Sequence, residues 1–167
     1  MNLSTAYQSS TLISDLFGKV MPTLQDIRMT QEVVKPVPIA EIVKQLGFDI
    51  SFKKLSYIGF FEEKTNTFII NDLDSPYRQR FSLAYLLVQH FQPNENDTTL
   101  LHTTIELLLP ESLIRLAASE ILSDMSLSKN ASLDADQFKT FIELIATKLA
   151  ISSKAMETRL MQLNIIE

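Results

Sequence analysis

The chain has 167 residues, of which 46% are hydrophobic, with no cysteine and a formal net charge of −5. This length and composition support a buried core and exclude a wholly disordered chain, while the lack of cysteine excludes disulfides and thiolate metal sites. Non-specific nucleic-acid binding draws on Lys and Arg contacts to phosphate, so the acidic balance argues against DNA or RNA as a direct partner. No apolar run approaches the roughly 20 residues needed to span a bilayer. The stretch from Met1 to Ser10 is polar, and no Lys or Arg occurs before Lys19, which argues against a secretory leader. The expected setting is therefore the cytoplasm, with no membrane partner.

The predicted elements run as follows. Leu12, Ile13, Leu16, Phe17, Val20, Met21, Leu24 and Ile27 have helical spacing, with Pro22 as a kink. Residues 1–34 form an N-terminal helical extension and residues 35–167 the main domain. Pro38 opens a short helix with Ile39, Ile42, Val43 and Leu46 on its apolar face, and Gly47 stops it. Phe48 to Leu55 alternates, with Phe48, Ile50 and Phe52 on the inner side, and reads as a half-buried strand. Two further strands, Tyr57 to Glu62 and Thr67 to Asn71, flank a turn at Glu63-Lys64-Thr65-Asn66. The three are expected to form one small antiparallel sheet. Phe60 and Phe61 are adjacent on a strand, so one is expected in the core and the other is a candidate exposed anchor. Asn71 is expected to end its strand and begin a turn.

The remainder reads as helices. Ser75 caps one, with Pro76 at its first position, and it runs to about Phe91. Asn96 or Asp97 caps the next, ending near Leu109-Pro110, and Pro110 opens another to about Ser123. Residues 124–133 read as a loop. Asp134 and Gln137 form a capping box for a helix to about Leu149, and Ser152 caps a last helix over 153–163. The expected class is α+β: a mostly helical single domain with a small sheet on one side.

The stretch Arg80-Phe81-Ser82-Leu83-Ala84-Tyr85-Leu86-Leu87-Val88-Gln89-His90 has the frame of a zinc-peptidase helix. Such a helix needs His, then Glu, then a second His four positions after the first, which places both imidazoles on one face. Other segments fall in matching order. They are Pro38 to Phe48 with its Leu-Gly ending, Thr67-Phe68-Ile69-Ile70-Asn71, Ile105-Glu106-Leu107-Leu108-Leu109-Pro110, and Ile151 to Leu163. Together they resemble the ImmA/IrrE family of zinc-peptidase-like proteins, from about Lys35 to Ile166. The resemblance implies a zincin-like scaffold and an activity on helix-turn-helix repressors of mobile elements. It also implies that the two zinc-His slots fall on Tyr85 and Gln89 and the general-base slot on Leu86. The acidic third ligand, counted back from Pro110, falls near Thr99, give or take a residue or two. Every expected ligand and the base are absent from those positions.

Zinc lowers the pKa of its bound water to about 7 and polarises the substrate carbonyl. An amide and a phenol do not replace two imidazoles in that work. Loss of a general base alone costs on the order of 100- to 10,000-fold. No catalytic residue, metal ligand or cofactor is therefore assigned. Tyr85 and Gln89, at i and i+4, are expected to fill the former metal cavity or to line a small polar binding site. Arg78 and Arg80 precede the helix. They are expected to pair with Asp72 or Asp74, to be solvated, or to contact a partner or acidic peptide. His90 suits a helix C-terminus, and it is turned roughly 100° from Gln89, so it does not inherit the lost ligand's direction. With His102 and Glu106 it is the candidate for a relocated metal site.

No phosphate-cradling glycine loop, nucleophile elbow or calcium loop is present. Three expectations follow. The first is an inactive peptidase-like protein that binds another protein, with a helix-turn-helix repressor or neighbouring regulator of a phage or mobile element as the partner class. The second is a metallopeptidase with its metal moved to His90, His102 and Glu106. The third is a structural or oligomerising accessory protein, in which the Leu12, Leu16, Val20, Leu24 stripe packs on its own core or makes a homodimer.

Overall fold

The computed structural model describes residues 34–125 and 133–163. The expected helix over 11–27 and its dimer stripe lie outside the described residues, as does most of the expected loop over 124–133. By their contacts the described residues form two compact units, one over Pro38–His102 and the other over the described part of Thr103–Glu167 with the residues just before Pro38.

The first unit begins with helix α1, Ile39–Gln45, which buries Ile39, Ile42 and Val43. Pro38 stands at its N-cap rather than inside its first turn. Gly47 ends it at φ +87, a conformation that glycine adopts without a Cβ penalty. Three strands follow, β1 (Asp49–Lys53), β2 (Gly59–Glu62) and β3 (Thr67–Asn71). The turn between β2 and β3 falls where expected. Asn66 takes a positive φ of 53 and its N–H donates to the Glu63 carbonyl.

The sheet is mixed, not antiparallel. Its order is β1-β3-β2, with β1 parallel and β2 antiparallel to β3. The physical reason lies in β3, whose Phe68, Ile69 and Ile70 are all buried. The most apolar strand gains most from neighbours on both edges, each such side chain contributing about 1.5–3 kcal/mol when fully buried. The link over residues 54–58 carries the chain past the end of β3, which leaves β1 and β3 running the same way.

Two further corrections concern faces. Phe52 was expected on the inner side of β1 but is 52% exposed. It lies near the end of β1, an edge strand among the described residues, with no strand paired on its outer side there. Phe60 and Phe61 are both half-buried, so neither is a free anchor. Phe61 joins an aromatic cluster, and Phe60 lies 6.2 Å from the Tyr57 ring.

Helix α2, Pro76–Phe91, packs against α1 and against β2 and β3. Ser75 accepts from the Arg78 N–H as its cap. Helix α3, Asp97–Leu108, is capped by Asn96, whose side-chain oxygen accepts from the Thr99 N–H at 3.0 Å. It carries the chain into the second unit, which contains α4 (Glu111–Asp124), α5 (Ala135–Lys148) and α6 (Ser153–Gln162). Both halves of the capping box at Asp134 and Gln137 form, and Ser152 caps α6. The core of this unit includes Leu107, Leu108, Leu109, Ile114, Ile145, Leu149 and Met156. A buried arginine, Arg159, donates through Nε to the Leu109 carbonyl at 3.0 Å and lies 3.5 Å from Glu106.

No helix among the described residues is long and apolar enough to cross a membrane.

Candidate functional site

The candidate site sits on α2. The loop between β3 and α2 is held by the side chains of Asn71 and Gln79. Asn71 ends β3, as expected, and is 7% exposed. Its amide oxygen accepts from the Leu55 and Leu73 N–H groups, both at 3.1 Å. The Gln79 side chain, one turn into α2, donates to the Asn71 carbonyl at 3.2 Å. Buried backbone N–H groups must find acceptors, and Asn71 supplies one for two loops at once. The start of α2 is therefore tied to the end of the sheet.

Along α2 the residues singled out by the resemblance sit in different environments. Tyr85 is half-buried, and its hydroxyl donates to Asp97 Oδ1 at 3.2 Å. Partial burial, and then the Asp97 charge and hydrogen bond, raise the Tyr85 phenol above its ordinary value. Leu86 is buried in the apolar core. Gln89 is exposed. Tyr85 and Gln89, expected together, therefore differ in environment: one is half-buried and bonded, the other exposed.

Asp97 is the residue that sequence reasoning passed over. It stands two positions before Thr99, inside the margin allowed for an acidic residue there. The signal available was that margin together with the absence of acid at Thr98, Thr99 and Leu100. The structure adds the contact: the Asp97 carboxylate accepts from the Tyr85 hydroxyl.

Arg78 pairs with Asp74 at 3.4 Å, not with Asp72, and its own side chain is largely exposed. The second Asp74 oxygen is buried with no hydrogen-bond partner among the described residues. Arg80 is half-buried, and burial pulls its guanidinium below its ordinary value to about 10, so it keeps its charge at neutral pH.

His90 lies against a ring cluster that helix spacing alone does not reveal. Its imidazole centroid is 4.3 Å from Phe61, 5.1 Å from Phe48, 5.3 Å from Phe91 and 6.0 Å from Phe68. Tilted and edge-to-face pairs at such distances contribute about 0.5–1.5 kcal/mol each beyond area burial. His90 itself is exposed, so its ring lies against this cluster at the C-terminal end of α2 rather than within the core. Among the described residues no group of three or more His, Cys, Asp or Glu could hold a metal ion. His90, His102 and Glu106 are therefore not gathered into one site, and Glu106 is engaged with Arg159 instead.

Set against known proteins, the chain matches no family model and no curated protein.

Proposed function

We propose that the protein is a catalytically inactive relative of the ImmA/IrrE-like zinc peptidases that works by binding another protein. The partner class is a helix-turn-helix repressor or a related regulator of a phage or other mobile element. The observation that carries this reading is the Tyr85–Asp97 pair. In a working site of that kind an imidazole and an acid would converge on a cation. Here a phenol occupies the imidazole position, and its proton satisfies the carboxylate. A neutral hydroxyl and a single carboxylate make a poor cation site, because zinc favours three or four imidazole, thiolate or carboxylate ligands. The buried Leu86 fills the base position with a group that takes no proton.

The order of elements supports the same reading. An apolar strand, β3, leads directly into the helix that carries the slots, and an acid from the following helix reaches back to it.

The test is metal analysis on protein purified without chelator, together with capture of partners from the native host on immobilised protein. The expected result is far less than one zinc per chain and a specific regulator among the captured proteins. A zinc-to-protein ratio near one would sink the proposal.

A further inference from the structure

We propose that the end of the sheet where β1 and β3 finish is a docking surface for an acidic segment of a protein partner that carries aliphatic or aromatic anchors. This rests on the protein-binding reading above and gives it a location away from the Tyr85 slot.

Four large side chains with apolar surface are exposed at this end: Phe52 (52%), Tyr57 (53%), Leu73 (67%) and Tyr77 (47%). Single exposed apolar residues are ordinary on any surface. These four are not scattered. Phe52 is near the end of β1, Tyr57 is in the link to β2, Leu73 is in the loop after β3, and Tyr77 is in the first turn of α2.

The backbone sews those segments together. Asn71 Oδ1 accepts from both Leu55 and Leu73, the Asp72 N–H donates to the Lys53 carbonyl at 2.9 Å, and the Asn71 N–H donates to the Ile58 carbonyl at 3.1 Å. A rim fixed in this way spends little ordering entropy on binding. Amphipathic aromatic residues are also the side chains that anchor protein interfaces.

Charge selects the occupant. Lys53 and Lys54 are exposed, and neither makes an ion pair among the described residues. Arg78 is partnered by Asp74, and Asp72 is the other acid of the rim. Three bases against two acids leave this end net positive on a chain whose total charge is −5. An acidic segment would find complementary charge beside its apolar anchors, whereas a basic one would meet the two unpaired lysines.

The test uses the full chain and three labelled synthetic peptides of equal length. One alternates Glu with Leu and Phe, one replaces each Glu by Lys, and one replaces each apolar residue by Ser. Binding is read by fluorescence anisotropy for the wild type and for two double variants, Leu73→Ser with Tyr77→Ser, and Lys53→Glu with Lys54→Glu. All four positions are exposed, and circular dichroism checks that the fold persists. The acidic apolar peptide should bind the wild type and lose about tenfold or more in affinity to either variant. The inference is overturned if the Lys peptide binds as well, if neither variant weakens binding, or if no peptide binds.

Sedimentation of the same samples addresses a second copy as the occupant. Self-association abolished by Leu73→Ser with Tyr77→Ser would assign the rim to a homodimer and overturn the proposal. Failure here is distinguishable from failure of the inactive-peptidase reading, because the zinc ratio of the same preparations does not depend on the rim.

Discussion

The two compact units bury polar groups in different ways. In the sheet-bearing unit the key polar residue is neutral: Asn71 offers one amide oxygen to two loop N–H groups. In the helical unit it is charged. Arg159, 7% exposed, satisfies the carbonyl of Leu109 just past the end of α3, while Glu106 balances its charge. The first arrangement depends on strand register, because Leu55 and Leu73 come from different connections. The second depends on helix termini, whose last carbonyls always need donors. The sheet unit should therefore be sensitive to backbone geometry, and the helical unit to loss of a single cation.

The largest expected effect is at Gly59, which holds φ +141 beside β3. A Cβ there would press into the Ile69 carbonyl oxygen, which is backbone and has little room to move. Gly59→Ala should cost at least about 4 kcal/mol, with amide-exchange protection lost first in β2 and β3. Denaturant titration with residue-resolved exchange checks it, and a loss under about 1 kcal/mol would mean that the sheet unit tolerates backbone shifts after all.

Next comes Arg159→Leu, expected to cost about 2–3 kcal/mol. It keeps apolar packing but leaves the buried Leu109 carbonyl without its donor. Exchange at the α3 and α6 ends should rise. A neutral result would show that the helical unit is held by its apolar core alone, and the contrast between the units would collapse.

The smallest effect is at Tyr85. Its phenol is raised above 10.0 in the folded protein, first by burial and then by Asp97. A raised folded-state value gives stability that is complete below the unfolded value near pH 10 and lost as pH climbs through the folded one. Tyr85→Phe should be slightly less stable near neutral pH, and the gap should close at strongly alkaline pH. Paired denaturation curves across that range test it. A gap that does not narrow with pH would detach Asp97 from the phenol.

The helices were legible because their signals are local. Ser75-Pro76, the Asp134–Gln137 box, Ser152 and the stop at Gly47 each act within a turn of the residue that carries them. The sheet was legible only as strands. Alternation names the strands but not their order, so the parallel pairing of β1 with β3 and the exposure of Phe52 escaped it. The site followed the same division. The i and i+4 relation of Tyr85 and Gln89 was readable from the helix period, but their different burial was not.

The sequence by itself determined the approximate boundaries of the described helices, the β2–β3 turn and the absence of imidazole from the Tyr85 and Gln89 positions, since each depends on residue identity within a few positions. Only the tertiary structure decided that β3 takes the centre of the sheet, that Asp97 accepts the Tyr85 hydrogen bond and that exposed His90 lies against a phenylalanine cluster. Those outcomes join residues from different elements, and they are set by which surfaces meet in the fold, a quantity that no local pattern carries.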